Sequence, residues 1–130
     1  MIPVVLADEL LKKPLSLEKD SEFLPVEQAF ILTVVEVDNE VKLHWQIAPG
    51  YYLYRQQLSI ELSGVHGDPV IPAGVVKRDE YFGDVEVYFK ELTVTVPVED
   101  VVEQRHVSVT YQGCAEAGLC YPKQNHEVLL

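Results

Sequence analysis

At 130 residues the chain is long enough to bury one core, and 48% apolar against 24% charged residues argues for a folded domain rather than a disordered one. Ten basic against twenty-one acidic side chains give a net charge of −11, which excludes the basic patch that nucleic-acid phosphates require and a polybasic attachment to membranes. The longest apolar stretch, around Ala29 to Val35, is interrupted by Thr33 and falls far short of the roughly 20 residues of a spanning helix, so no direct membrane insertion is expected.

The N-terminus, MIPVVLADELLKK, has no basic region ahead of its apolar run, so it reads as part of a mature or excised domain rather than an intact signal peptide. Residues 1–21 are expected to form an irregular arm, with at most one helical turn over Asp8–Lys13 before Pro14. Another turn fits Pro25–Gln28. Strands follow. Phe30–Val37 and Val41–Ile47 flank Asp38-Asn39-Glu40, a hairpin signal. In the second run Val41, Leu43, Trp45 and Ile47 alternate with Lys42, His44 and Gln46, which predicts one buried face carrying Trp45 and one solvated face carrying His44.

Beyond Pro49-Gly50, the extended segment Tyr51–Tyr54 places Tyr52 and Tyr54 on one side and Tyr51 and Leu53 on the other. Leu58–Leu62 ends at a break containing Gly64, Gly67, Asp68 and Pro69. Val85, Val87 and Phe89 alternate, Lys90-Glu91 joins them to Leu92, Val94, Val96 and Val98, and Pro97 marks a strand edge or end. Val107, Val109 and Tyr111 then run into the cysteines, and Glu127–Leu130 suggests a return strand. Many short strands punctuated by Pro and Gly predict a single all-β domain over residues 1–130, an antiparallel sandwich.

Cys114 and Cys120 are the only cysteines. They are expected near facing ends of a hairpin, where Cα atoms reach the separation of about 5.5 Å that suits a disulfide. A structural staple closing so short a ring contributes roughly 2–2.5 kcal/mol in the chain-entropy model. Locking a hairpin that is already local is a poor use of the one possible disulfide, so the residues leave staple and redox centre both open. Two thiolates with imidazoles could hold zinc or copper, but His44, His66, His106 and His126 are scattered, with no short His-x-x-His spacing. Neither a Gly-x-Ser-x-Gly elbow nor a Gly-rich phosphate loop supports hydrolase chemistry.

The run Tyr111-Gln112-Gly113-Cys114-Ala115-Glu116-Ala117-Gly118-Leu119-Cys120-Tyr121-Pro122 resembles the active-site motif of the DsbD N-terminal domain family, from bacterial thiol:disulfide interchange proteins. Trp45-Gln46-Ile47 with Gly50-Tyr51-Tyr52-Leu53-Tyr54-Arg55 resembles the family's tyrosine-rich segment. Asp79-Glu80-Tyr81-Phe82-Gly83 is similar to its cap loop, and Phe23–Phe30 is also familial, so the resemblance covers about residues 22 to 130.

The resemblance implies an immunoglobulin-like sandwich in the periplasm, as a domain of an inner-membrane protein. It needs no cofactor beyond a redox-active cysteine pair. Cys120 would form mixed disulfides with partners and Cys114 would resolve them. The implied electron donor is the C-terminal thioredoxin-like domain of the same full-length protein. The implied acceptors are periplasmic thioredoxin-like proteins, namely disulfide isomerases and a cytochrome c maturation thioredoxin. Tyr52, Tyr54 and Glu116 would surround the sulfurs under the cap loop. One family member has Phe then Tyr where this chain has Tyr81-Phe82, which leaves both rings as candidates for the capping position. Asp79, Glu80 and Glu116 bring no positive charge, so the reduced pair is expected to be a weak nucleophile until a partner docks. The rival is a non-catalytic immunoglobulin-like binding module with a structural disulfide.

Overall fold

The computed structural model describes residues 23–65, 67–99 and 104–130. The expected arm over 1–21, the turn at Asp8–Lys13 and His66 lie outside the described residues. Asp38 and Asn39 take positive φ values of 51° and 64°, the paired left-handed turn that matches the right-handed twist of its flanking strands. It joins β1 (Phe30–Val37) to β2 (Glu40–Ile47) in antiparallel register, with Leu32 opposite Trp45 and Val34 opposite Leu43. A one-turn helix, α1 (Val26–Ala29), precedes them.

The remaining strands are β3 (Tyr51–Tyr54), β4 (Ser59–Leu62), β5 (Val75–Asp79), β6 (Gly83–Tyr88), β7 (Glu91–Pro97), β8 (His106–Tyr111), β9 (Gly113–Ala115), β10 (Leu119–Cys120) and β11 (Gln124–Leu129). One layer has the order β1-β2-β7. Facing it, β11-β8-β4 is prolonged by β10-β9-β3-β6-β5, because β9 continues β8 past Gln112, and β3 leads into β4 through a 3-10 turn at Arg55–Gln57. All named strand pairs are antiparallel, and the architecture is the immunoglobulin-like sandwich. The prolonged layer carries the cysteine hairpin beyond the end of the main core.

The period-two pattern explains that core. Val41, Leu43, Trp45 and Ile47 from β2 meet Leu92, Val94 and Val96 from β7 and Val107, Val109 and Tyr111 from β8. Each fully buried Leu or Val contributes about 1.5–3 kcal/mol relative to exposure. Trp45 meets the Tyr111 ring edge-on at 5.6 Å. At the opposite end from the cysteines, Arg105 is 1% exposed and donates to both Glu36 carboxylate oxygens (3.0 and 3.1 Å) and to the carbonyls of Ser63 and Glu99 (2.8 and 2.9 Å). That node ties β1, the segment after β4 and the segment after β7 to the start of β8. Among the described residues no helix is long and apolar enough to cross a membrane.

Candidate functional site

Gly113 sets the position of the hairpin. A Cβ there would lie 2.4 Å from Phe30 Cζ and 2.7 Å from the Tyr52 carbonyl oxygen, so only glycine lets β9 approach β3 this closely. One residue on, Cys114 pairs with Tyr52 on β3 and with Cys120 on β10. The cysteines are thus directly opposite one another, their Cα atoms 4.0 Å apart and their sulfurs bonded at 2.05 Å. This is closer than the expected 5.5 Å, because they form a cross-strand pair rather than loose hairpin ends. Cys114 is 1% exposed, whereas Cys120 is only partly buried.

All four residues of β3 are buried, because both faces of the strand are covered. Tyr51 and Leu53 join the main core, while Tyr52 and Tyr54 form a second cluster with Val85, Val87 and Cys114, against which Phe89 and Cys120 pack. The Tyr54 hydroxyl lies 3.0 Å from Cys114 Sγ and 3.8 Å from Cys120 Sγ.

Asp79, at the end of β5, is 4% exposed and organises the polar part of this cluster. Its Oδ1 accepts from the hydroxyls of Tyr52 (2.7 Å) and Tyr54 (2.9 Å), and its Oδ2 accepts from the backbone N–H groups of Tyr81 (3.0 Å) and Phe82 (2.9 Å). Burial alone would raise the carboxyl pKa; the hydrogen bonds from Tyr52, Tyr54, Tyr81 and Phe82 together outweigh that and hold it below its ordinary value. Burial in turn raises both phenols, Tyr54 to about 12 and Tyr52 further, with the hydrogen bond to Asp79 adding to both.

A hydroxyl has one proton. Tyr54 donates that hydrogen to the ionised Asp79 in a hydrogen bond, so towards Cys114 it presents an oxygen lone pair. In a dithiol state that oxygen can accept from Cys114 S–H, which favours the thiol over the thiolate.

The cap loop divides its aromatics between two tasks. Phe82 sets its ring edge-on against Tyr54, 5.0 Å between centroids, while the Tyr81 hydroxyl reaches across to the Gly118 carbonyl at 3.5 Å. Both rings remain about half exposed, at 49% and 54%. Gly83, which closes the loop, has φ +79° and open space around its Cβ position, a backbone state that other residues rarely adopt. Between the cap and the hairpin turn lies a cleft of about 300 Å³ lined by Tyr52, Lys77, Asp79, Tyr81, Glu116 and Gly118. Glu80 and Glu116 are both exposed on its rim.

Sequence reasoning passed over three neighbours. Phe89 lies 5.8 Å from Tyr52 and continues the alternation of Val85 and Val87, which could have placed it on the sulfur side. Lys77 Nζ stands 5.2 Å over the Tyr52 ring, so the site is not purely acidic; its signal was the two-residue spacing to Asp79 on one strand face. Tyr121, next to Cys120, stacks on Tyr51 with 6.3 Å between centroids. Among the described residues no group of three His, Cys, Asp or Glu side chains is arranged to hold a metal ion.

Comparison with known proteins places this geometry. The family model described as "Thiol:disulfide interchange protein DsbD, N-terminal" matches residues 20–130. The thiol:disulfide interchange protein DsbD of Yersinia pestis is 45% identical over 111 residues, covering 85% of this chain and 19% of that protein. The chain therefore spans about a fifth of the length of the curated relatives it matches, 19% in this case. Among solved structures, the Neisseria meningitidis DsbD N-terminal domain in its reduced form is 35% identical with a TM-score of 0.76, covering 85% of this chain and 90% of that one. The DsbD N-terminal domain from the same organism, in complex with the PilB N-terminal domain, is 36% identical with a TM-score of 0.74, covering 83% and 87%.

Proposed function

Because the chain belongs to the DsbD N-terminal domain family of thiol:disulfide interchange proteins, we propose that it relays electrons through a reversible Cys114–Cys120 disulfide. The donor is the C-terminal thioredoxin-like domain of the same full-length protein, and the acceptors are periplasmic thioredoxin-like proteins, including disulfide isomerases and a cytochrome c maturation thioredoxin. Two relatives support this reading: one solved in the reduced form, and one in complex with a PilB N-terminal domain.

The observation that carries the mechanism is the unequal burial of the two sulfurs. Cys114 is 1% exposed, so only Cys120 offers a sulfur to a partner. In the reduced domain, the Cys120 thiolate attacks one sulfur of the partner disulfide and the partner's other sulfur leaves as a thiolate. Cys114 then attacks Cys120 Sγ, re-forms the intramolecular disulfide and releases the partner's second thiolate. Two electrons and two protons pass to the partner. Until that attack the Tyr54 oxygen, 3.0 Å from Cys114 Sγ, accepts from the Cys114 S–H.

The cap regulates access. Phe82 covers Tyr54 beside the sulfurs, and Tyr81 latches the loop to the hairpin turn through Gly118. A docking partner displaces both, with Gly83 absorbing the backbone change. The reading is tested by the reduction potential of the pair together with transfer to a thioredoxin-like disulfide. A value within about −120 to −270 mV, with transfer abolished in Cys120→Ala, supports it. A value below about −300 mV without transfer makes the pair a structural staple of a binding module.

A further inference from the structure

Tyr121 is held at each of its polar groups. Its N–H donates to the Gly113 carbonyl at 3.0 Å, its carbonyl accepts from Gln112 Nε2 at 3.1 Å, and its hydroxyl donates to the Leu24 carbonyl. The Leu24 N–H in turn donates to the Tyr51 hydroxyl at 2.7 Å. Phe30 lies edge-on to both rings, 6.0 Å from Tyr51 and 5.8 Å from Tyr121. Burial, with the Tyr51 hydroxyl beside it, pushes the Tyr121 phenol up to about 12, so the hydroxyl remains a donor throughout the neutral range.

These ties fall on the return arm of the hairpin, one peptide unit from Cys120, and none involves a sulfur. The arm has few other restraints. β10 is two residues long, Leu119 opposite Ala115 and Cys120 opposite Cys114, and Pro122 has no N–H to donate.

We propose that Tyr121 is a positioning residue for the redox pair: its ties to Gly113, Gln112 and Leu24 hold the two thiols of the reduced hairpin face to face and so set how readily the disulfide recloses. The proposal rests on the reversible Cys114–Cys120 chemistry above. Reduction by a monothiol such as glutathione consumes two thiols, opens the Cys114–Cys120 bond and yields one glutathione disulfide, with two electrons and two protons passing to the hairpin. In the oxidised domain the covalent bond already holds the arm. Removing a tie therefore frees mainly the reduced arm and favours the dithiol. By linkage the converse holds, and reduction loosens the strap at Leu24.

The experiment is equilibration of the domain in glutathione redox buffers, comparing the native chain with Tyr121→Phe and Gln112→Met, alongside hydrogen exchange of the Leu24 amide in both redox states. Tyr121→Phe, which removes one hydrogen bond and keeps the ring, is expected to lower the equilibrium constant for ring closure roughly three- to tenfold. That is a potential about 14 to 30 mV less negative, at about 29.6 mV per tenfold for two electrons. The Leu24 amide is expected to exchange faster in the dithiol form. A native pair that glutathione does not reduce at any ratio overturns the reversible chemistry itself. A native pair that equilibrates, with both variants within twofold of it, overturns the positioning role alone. Should Tyr121→Phe lose its fold by circular dichroism, Gln112→Met and the Leu24 exchange decide between these outcomes.

Discussion

Phe82 and Tyr54 meet edge to face at 5.0 Å, at 88° between their planes, and Tyr54 is the residue whose hydroxyl touches Cys114 Sγ at 3.0 Å. The cap is thus in contact with the polar network of the sulfurs rather than merely above it. Tyr81, its neighbour, instead reaches the hairpin turn at 3.5 Å, outside the range of a strong hydrogen bond. The two residues are therefore expected to contribute unequally to shielding.

Phe82→Ala should speed iodoacetamide alkylation of the reduced pair. An aromatic pair contributes roughly 0.5–1.5 kcal/mol, so the gain expected from losing it is about two- to tenfold. Tyr81→Phe, which loses only the long bond to Gly118, should change the rate less. Equal acceleration by the two variants would contradict the division of tasks, and an unchanged rate in the Phe82→Ala, Tyr81→Ala double variant would reject the gate altogether.

The Tyr54 hydroxyl donates its one hydrogen to Asp79, which leaves the Tyr54 oxygen an acceptor towards Cys114. The Cys114 thiol in the reduced domain is accordingly expected to titrate above the ordinary cysteine value of about 8.5. Asp79→Asn removes the negative charge and frees the Tyr54 hydroxyl to donate to a thiolate, so the Cys114 pKa should fall in that variant. Carbon-13 labelling of the cysteine Cβ atoms reads both values. A native Cys114 thiolate already formed well below pH 7 would remove the basis for a quiescent reduced pair.

Gly113 offers a sharper test of the hairpin's placement. Alanine there would drive a methyl group to 2.4 Å from Phe30 Cζ and 2.7 Å from the Tyr52 carbonyl. Overpacking of this kind costs typically about 1–3 kcal/mol. The urea midpoint should drop accordingly, and β9 should shift relative to β3. An undiminished midpoint would mean that the hairpin relaxes away from the sheet at little cost.

Much of the fold was legible because it rests on local alternation. Val41, Leu43, Trp45 and Ile47 point inward in any strand of that register, and Asp38-Asn39 is a turn wherever two left-handed residues are required. The polar half of the site was less legible, because it depends on pairing between distant strands. Tyr52 and Tyr54 share a side of β3 by simple alternation, but only the β3–β6–β5 order brings Asp79 within 2.7 and 2.9 Å of their hydroxyls. The placement of Lys77 over Tyr52 has the same origin. Tyr121 depends on the break between β8 and β9 at Gln112, which no short sequence pattern specifies.

The Arg105–Glu36 pair lies at the far end of the sandwich and should govern acid stability without touching exchange. The hydrogen bond from Arg105 holds the Glu36 carboxyl below its ordinary value, against the smaller opposing effect of burial. A depressed carboxylate contributes stability that is fully present above its unfolded pKa and is lost as pH falls through the folded one. Glu36→Gln should therefore destabilise the domain at neutral pH and converge with the native chain as pH falls below about 4. Arg105→Met leaves the Ser63 and Glu99 carbonyls without their donor and is expected to cost about 1–3 kcal/mol for each. Denaturant curves for both variants at several pH values check the size and the convergence, and a Glu36→Gln deficit that persists unchanged at pH 3 would contradict the linkage.

The unequal burial of the sulfurs predicts which cysteine traps a partner. With Cys114→Ala, the Cys120 thiolate can still attack a partner disulfide, but nothing remains to resolve the product, so a mixed disulfide should accumulate stoichiometrically and survive non-reducing electrophoresis. With Cys120→Ala, the remaining thiol is 1% exposed beneath Tyr54 and the cap, and trapping should fall by orders of magnitude. Adding Phe82→Ala to Cys120→Ala discriminates between two reasons for that failure. If the cap alone shields Cys114, the double variant should recover much of the trapping. If the β3–β9 pairing and the Asp79–Tyr54 hydrogen bonds keep the thiol buried and protonated, recovery should stay small, and this is the expected result. Efficient trapping by Cys120→Ala with the cap intact would reverse the roles assigned to the two sulfurs.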